Sequence, residues 1–182
     1  MLEQVDSPKL VVCDTMNFWI EGSFEALLET LKFVNVLIIN DTETRQLARE
    51  ENLVKAVKKI FKWGPSVIVV KRGEFGAAMF TMSPGGEMDV FLSPAYPQEE
   101  LVDPTGAGDS FAGGFVGYLA GTNCTDSESM RQAVVFGSVI ASFNIEKFSL
   151  ERLRELTFTE IRLRYSEMYK MTAFEGFEGL QV

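Results

Sequence analysis

The stretch DPTGAGDSFAGGF, residues Asp103–Phe115, joins a loop to an apolar segment with helical spacing. Its small residues lie where that helix is predicted to begin, so the backbone can approach a ligand closely. The first amides of a helix have no partner inside the helix and carry a partial positive charge, which suits an anion such as phosphate. Asp109 places a carboxylate beside those amides, and such a group can accept a proton from an attacking hydroxyl. The stretch therefore predicts a phosphoryl-transfer site.

A purely structural interpretation of the same glycines is also open. They could form a turn that caps a tightly packed helix, with Gly113 and Gly114 allowing close contact between helices. A bare Gly-x-Gly would favour that interpretation, but this motif is long and most of its positions are filled. The stretch resembles the C-terminal signature of the ribokinase/PfkB carbohydrate kinase family, which runs Asp-x-Thr-Gly-Ala-Gly-Asp before small residues and an apolar helix. Every signature position is matched between Asp103 and Val116.

The resemblance implies an ATP-dependent carbohydrate kinase with an α/β fold. That fold would be ribokinase-like, with three layers (α/β/α) and a mostly parallel sheet. Asp109 would be the general base, and the backbone amides of Gly106, Ala107, Gly108 and Asp109 would hold the developing charge of the transferred phosphoryl group. The implied partners are ATP and a small sugar or nucleoside that offers a hydroxyl group.

The order of elements along the chain supports an α/β fold independently. Short apolar runs, typical of buried strands, alternate with segments of helical spacing, which predicts a mostly parallel sheet covered on both faces. Strands are predicted at Lys9–Cys13, Val36–Ile39 and Val67–Val70, with a hairpin at Ala77–Met82 and Met88–Leu92. Helices are predicted from Ser23, at Thr42–Glu50 and Leu53–Trp63, from the signature to Gly121, and at Ser127–Phe143, Ser149–Leu156 and Phe158–Met171, before an irregular tail at 174–182.

Asn40 and Glu43 follow a predicted strand and open a predicted helix. A polar cap residue with Glu three positions later is a capping box, which is the structural interpretation of this pair. The resembled family has an Asn-x-x-Glu element at this kind of strand end, associated with water-held Mg²⁺ and the nucleotide phosphates. Both roles can hold at once, because a cap does not use all the acceptor positions of a carboxylate.

Lys71, Gly73 and Gly76 lie in the segment KRGEFG at the end of another predicted strand. The segment is similar to the Thr/Lys-x-Gly-x-x-Gly element of the family, in which the first residue reaches the nucleotide phosphates. The resemblance therefore assigns a nucleotide-binding role to these three residues. The alternative is a tight turn that ends a strand and does nothing more.

Asp103 and Thr105 occupy positions that, in some family members, help to form a monovalent-cation site. The resemblance thus suggests K⁺ as a further cofactor beside ATP and Mg²⁺. Ser142, Phe143 and Asn144 lie where the late helix of the family borders the adenine.

Composition narrows the classes of function. With 182 residues, 46% hydrophobic and 24% charged, the sequence is typical of one soluble globular domain, which we place at residues 1–182. A net charge of −9 argues against nucleic acid as a partner, although local amides, a lysine and Mg²⁺ can still hold ATP. The absence of histidine removes His-based catalysis and His metal sites. The longest apolar run, Phe111–Gly121, is shorter than the about 20 residues that span a bilayer, so no membrane association is expected.

Cys13 and Cys124 do not form a disulfide framework, and residues 1–6 do not resemble a signal peptide. We therefore expect a cytoplasmic protein. The sequence leaves the oligomeric state open, with a homodimer as one candidate.

Two departures from the family pattern qualify these expectations. The pair Asp14-x-x-Asn17 matches only part of the Asp-x-Asn-x-Arg run of many hexose kinases, and no arginine follows, so the acceptor is not assigned. The resemblance also covers only the C-terminal part of the family. The N-terminal half, its Gly-Gly element and its β lid have no counterpart, so we expect a fragment that is inactive alone.

Two other classes of protein compete with the kinase interpretation. A non-catalytic nucleotide-binding or regulatory module could retain the site without acceptor binding. A dinucleotide-binding oxidoreductase would need Gly-x-Gly-x-x-Gly after the first strand, but here the motif comes late and Phe111 stands at its third glycine position. The sequence also has no Walker Gly-x-x-x-x-Gly-Lys motif, which argues against a P-loop enzyme.

Overall fold

The computed structural model describes residues 4–173; the tail predicted to be irregular, 174–182, lies outside the described residues. A five-stranded sheet holds its strands in chain order. The strands are β1 (Val12–Asp14), β2 (Val36–Asn40), β3 (Val67–Lys71), β4 (Ala77–Met82) and β5 (Met88–Ser93). The strands β1, β2 and β3 are parallel, whereas β4 and β5 are antiparallel and form the predicted hairpin. The sheet is therefore mixed.

Helices cover this sheet, and the described residues contain eight of them. They are α1 (Asn17–Gly22), α2 (Phe24–Leu31), α3 (Asp41–Ala48), α4 (Leu53–Phe61), α5 (Ala107–Thr122), α6 (Ser127–Asn144), α7 (Glu151–Glu155) and α8 (Phe158–Thr172). Most begin at the predicted residues because their caps are explicit in the sequence: the side chains of Asn52 and Asp126, for example, accept backbone hydrogen bonds at the starts of α4 and α6.

Three layers follow from the alternation of side chains along each strand. On β2, Leu37 and Ile39 pack into a core with α2, α3 and α4. Val36 and Ile38, which point the other way, pack against α5 and α6. All four side chains are fully buried. This confirms the predicted α/β/α arrangement and explains why the central strands are apolar on both faces.

The first strand differs from its prediction. It was expected to be buried on both faces, but Val12 and Cys13 are only half-buried and Asp14 is exposed. The reason is that β1 lies at the edge of the sheet with β2 as its single neighbour. The polar stretch predicted after β1 contains helix α1, which the sequence pattern did not indicate, and α1 leaves Phe18 and Trp19 exposed.

The glycines of the signature have different roles within α5. A Cβ on Gly114 would lie 3.1 Å from the Cα of Gly137, so this position allows close packing of α5 on α6, as predicted. Gly113 has no atom of a neighbouring element within 4 Å of such a Cβ, so the contact role that the structural interpretation of the glycines gave to Gly113 is wrong. Gly137 is the second glycine that allows α5 and α6 to pack closely, since a Cβ there would lie 2.8 Å from the backbone oxygen of Phe111.

Within residues 4–173, none of the helices combines the length and apolar character that a membrane crossing requires. The cytoplasmic location and the homodimer stay predictions.

Candidate active site

The carboxyl ends of three parallel strands bring three polar side chains to one edge of the sheet. Asp14 ends β1, Asn40 ends β2 and Lys71 ends β3. Asn40 and Lys71 are partners in the strand register, so their backbones are adjacent. Ligands of open α/β sheets bind at this edge. Two residues assigned from separate motifs, Asn40 and Lys71, are thus neighbours.

The first turn of α5 lies above this edge and offers free backbone donors. Gly106 has φ of +80° and is the N-cap, with no side chain capping the helix. The amide of Ala107 donates to the carbonyl of Pro104 at 3.2 Å, so it is already engaged. Across residues 4–173, the amides of Gly106, Gly108 and Asp109 have no backbone or side-chain acceptor. The predicted anion hole therefore has three available amides rather than four.

The ammonium group of Lys71 lies against the same helix start. A Cβ built on Gly108 would be 3.1 Å from Lys71 Nζ, so any larger residue at Gly108 would make a close steric contact with the lysine side chain. Lys71 Nζ also contacts the carboxylate of Asp14, at 2.9 Å to Oδ2 and 3.2 Å to Oδ1. The side chain of Lys71 is 18% exposed and that of Asp14 29%. This ion pair was not predicted, because the two residues are far apart in sequence.

Asp109 lies in the first turn of α5 and is exposed to solvent. Its carboxylate makes no hydrogen bond and no ion pair with any residue that the structure describes. A negative group near the positive end of a helix is stabilised there. The carboxylate is therefore accessible to an incoming hydroxyl group.

Asn144 fastens the loop before α5 to the end of α6. Its side chain is fully buried, accepts from Ser110 Oγ at 2.8 Å and donates to the carbonyl of Thr105 at 2.9 Å. Both bonds fix the backbone just around Gly106. The expected place of Asn144 near an adenine stays a prediction, and the structure shows that Asn144 also positions the helix start.

Asp103 also stabilises the loop before α5, through hydrogen bonds from two backbone amides. Its Oδ1 accepts from the Thr105 amide at 2.9 Å and its Oδ2 from the Ser149 amide at 3.1 Å. The hydrogen bonds from Thr105, followed by that from Ser149, lower the pKa of Asp103. The suggested K⁺ site at Asp103 and Thr105 stays a prediction.

Asn40 and Glu43 form the predicted capping box at the start of α3. Asn40 Oδ1 accepts from the Glu43 amide at 2.7 Å, and Glu43 Oε2 accepts from the Asn40 amide at 3.2 Å. Glu43 is buried, with 7% of its surface exposed. Its second oxygen, Oε1, has no hydrogen-bond partner in the described part of the chain and is not sealed from solvent. One acceptor therefore stays available.

Gly73 and Gly76 begin and follow a short 3-10 turn between β3 and β4. Both have positive φ, +56° and +81° respectively. A Cβ on Gly76 would overlap the backbone oxygen of Ser93, whereas one on Gly73 would meet no atom within 4 Å. Gly76 thus lets the chain after β5 pass close to the turn.

A cavity of about 640 Å³ lies beside the helix start. Among the predicted site residues it brings together Lys71, Gly73, Gly76, Ala107 and Gly108. Its other wall is formed by the loop after β5 and by α6, with Tyr96, Gln98, Leu101, Ala141, Ser142 and Ile145. Its volume is in the range of small-molecule sites. The predicted residues that do not line it are Asn40, Glu43, Asp103, Thr105, Gly106 and Asp109.

The model of the pfkB family of carbohydrate kinases matches residues 6–154, most of the chain. The chain belongs to the PfkB family. The match includes every predicted site residue and ends before α8.

Individual PfkB kinases are similar over part of their length. The cytidine kinase of Thermococcus kodakarensis is 34% identical over 98 residues, which cover 53% of this chain and 34% of that protein. The solved aminoimidazole riboside kinase of Salmonella enterica, complexed with aminoimidazole riboside and an ATP analogue, has a TM-score of 0.70 and 21% identity. That match covers 86% of this chain and 52% of the other.

A plant PfkB structure has the same fold. The ribokinase of Arabidopsis thaliana, complexed with ribose and ATP, has a TM-score of 0.66 at 23% identity, covering 86% of this chain and 47% of that chain. The chain thus spans about half the length of these two solved kinases and about a third of the cytidine kinase. The ribokinase-like fold is shared over this half.

The sequence did not indicate three contributors to this PfkB site. Asp14 was considered only as part of a hexose-kinase motif, and its ion pair with Lys71 could not be inferred without the strand register. Gln98 and Tyr96 of the cavity wall lie in a loop with no motif. The only available signal was the place of this loop in the sequence, a proline-containing stretch with Gln98, Glu99 and Glu100 shortly before the signature.

Proposed function

We propose that this chain carries the nucleotide-binding and catalytic half of an ATP-dependent kinase that phosphorylates a hydroxyl of a small sugar or nucleoside. The observation that carries the proposal is the start of α5, where three free amides and the Lys71 ammonium converge beside a cavity. Phosphoryl transfer depends mainly on positioning and on electrostatic stabilisation of the transferred group. Free amides at a helix start and one cation supply both.

The phosphates would lie between Lys71 and the amides of Gly106, Gly108 and Asp109. Backbone donors pointing from a helix start bind phosphate without a side chain between them. The ion pair with Asp14 keeps the Lys71 ammonium over Gly108. A phosphate in this place would share Lys71 with Asp14, since an ammonium has three donors.

Asp109 would act as the general base. Its free carboxylate would accept the proton of the acceptor hydroxyl while the hydroxyl oxygen bonds to the γ-phosphorus and ADP leaves. The nearby amides would hold the negative charge of the transferred group. The Asp109 carboxylate is exposed and without a partner in the described residues, so it is free to take this proton.

Asn40 and Glu43 are better suited to hold Mg²⁺ through its bound waters than to coordinate the ion directly. Each uses an oxygen in the capping box, and the Oε1 of Glu43 stays available. The described residues contain no cluster of three or more His, Cys, Asp or Glu that could enclose a metal. Mg²⁺ commonly keeps several waters and binds through one or two carboxylates together with the phosphates of a substrate. When bound, it would neutralise phosphate charge.

The variant Glu43→Gln is expected to weaken the Mg²⁺ dependence of ATP binding while changing the stability of the fold little. Gln retains an amide oxygen that can accept from Asn40, so the capping box survives, but the charge that attracts Mg²⁺ is lost. The measurement is ATP affinity as a function of Mg²⁺ concentration, with the melting temperature recorded in parallel. An unchanged Mg²⁺ titration together with a lowered melting temperature would mean that Glu43 only caps α3.

The proposed function is tested by titrating residues 1–182 with Mg-ATP in a calorimeter. Saturable binding is expected, and Lys71→Met should weaken it by roughly 10–100-fold because a charge-assisted hydrogen bond to phosphate is lost. Arg72→Met is the matched control. Arg72 is the next residue but does not line the cavity, so its variant should bind like the parent. No saturable binding to the folded chain, or equal effects of the two variants, would contradict the proposal.

A further inference from the structure

The side-chain amide of Gln98 is held in one orientation. Its Nε2 donates to the carbonyl of Ser142 at 2.9 Å and to Glu146 Oε1 at 3.1 Å. A carbonyl and a carboxylate can only accept, so the NH₂ group must face them and the amide cannot flip. The carbonyl oxygen Oε1 therefore points away from both, and it has no hydrogen-bond partner in the described part of the chain.

Ionised Glu146 reinforces the orientation that the Ser142 carbonyl sets, and two arginines keep Glu146 ionised. Arg152 Nε lies 2.7 Å from Glu146 Oε2, and Arg164 lies 2.7 Å from Oε1. Burial opposes ionisation of Glu146, but the hydrogen bonds from Arg152, Arg164 and Gln98 outweigh it and its pKa is lowered. Glu146 is thus an acceptor at neutral pH and cannot donate to Gln98.

Arg164 of helix α8 stabilises this arrangement through contacts with its neighbours. The guanidinium of Arg164 stacks on the Phe143 ring, 3.5 Å from its centroid, and on the Tyr96 ring at 4.3 Å. It also donates to Ser142 Oγ at 3.1 Å. Tyr96 and Ser142 line the cavity together with Gln98, so one arginine supports the wall on which Gln98 is mounted.

The lining of the cavity contains two chemically different sets of residues. The first set includes Lys71 and Gly108, where phosphate would lie. The second has Gln98 together with the apolar residues Leu101, Ala141 and Ile145. Small-molecule sites are typically apolar with a few precisely placed polar groups that fix the orientation of the ligand. With phosphate held by the first set, the base of the nucleotide would lie against the second.

We propose that Gln98 selects the base of the phosphate donor, with its Oε1 accepting a hydrogen bond from the exocyclic amino group of adenine. A purine with an oxygen at that position would place an acceptor against an acceptor and bind more weakly. Glu146 and Arg164 are positioning residues that keep the acceptor turned toward the cavity. The inference rests on the proposed function, since it requires a nucleotide in this cavity.

The test compares two nucleotides on the 182-residue chain by calorimetry. ADP carries the amino group, and purine riboside 5′-diphosphate lacks it but is otherwise the same. The parent chain is expected to bind ADP about 5–10-fold more tightly, the value of one hydrogen bond in a partly open site. Gln98→Met should remove this difference by weakening ADP alone. Gln46→Met, at a glutamine on α3 outside the cavity, is the matched control and should preserve the difference.

A second variant tests the orientation itself. Glu146→Gln introduces an amide that can also donate, so only the Ser142 carbonyl still fixes the orientation of Gln98, and the preference for ADP should fall although Gln98 is still present. Circular dichroism reports whether this variant is folded. Equal binding of both nucleotides by the parent, or an ADP preference that survives Gln98→Met, would overturn the inference alone if affinity still depends on Lys71. Failure of both nucleotides to bind the folded parent would overturn the proposed function as well.

Discussion

In a form of this kinase that also has the acceptor-binding half of the family, replacing Asp109 by Asn is expected to lower the turnover by roughly 10²–10⁴-fold. Asn keeps the size of the side chain but cannot take a proton from the acceptor hydroxyl. The affinity for Mg-ATP should change little, since the backbone amides and Lys71 are untouched. A drop in turnover at constant ATP affinity is the signature of an interaction made during the chemical step.

The measurement is ADP release with a panel of sugars and nucleosides, alongside calorimetric ATP binding. Asp126→Asn is the matched control, because Asp126 also lies at a helix start and Asn retains the cap that it gives to Ser129. Turnover of the Asp109 variant near that of the parent would exclude the general-base role. If the form with the acceptor-binding half binds ATP but phosphorylates none of the acceptors, the non-catalytic module would be favoured.

Gly76→Ala is expected to destabilise the fold by more than about 3 kcal/mol. The position has φ of +81°, which residues with a Cβ adopt at a cost, and its Cβ would overlap the backbone oxygen of Ser93. Backbone cannot move aside as a flexible side chain can. Relieving the overlap would displace the chain after β5, which forms one wall of the cavity, so nucleotide affinity should fall as well.

Gly73→Ala provides the control within the same turn. Gly73 also has positive φ, at +56°, but a Cβ there meets nothing within 4 Å, so only the backbone cost of about 1 kcal/mol is expected. Thermal and denaturant unfolding of the two variants separate strain from steric overlap. At this chain length each kcal/mol lowers the melting temperature by roughly 2–4 °C. Equal losses for the two variants would contradict the account.

The elements that the sequence predicted well are those with local signals. The cap of α4 at Asn52 and the box of Asn40 with Glu43 each involve residues three positions apart. The central strands are apolar on both faces because helices cover both, so continuous runs identified them. The helix start at Gly106 was predicted because its motif is contiguous.

What could not be predicted depends on residues that only the folded chain brings together. The burial of β1 was overestimated because an edge position cannot be read from an apolar run. Asp14 on β1 contacts Lys71 on β3 across the intervening strand β2, and Asn144 reaches Ser110 and Thr105 from another helix. The Ala107 amide was counted as free because its bond to Pro104 depends on the local path of the loop. Tertiary geometry decides each of these cases.

The phosphate-side donors and the residues around Gln98 differ in how substitutions can change them. At the start of α5 the donors belong to the peptide backbone, and amides persist whatever side chains replace their neighbours. The cavity wall around Gln98 depends on the side chains of Gln98, Glu146 and Arg164, each of which one codon change can remove. As related sequences diverge, substitutions should therefore change the preference for the nucleotide base before they abolish phosphate binding. Sequence variation in α8, beyond the matched family region, would be one place to look for nucleotide-donor changes among relatives.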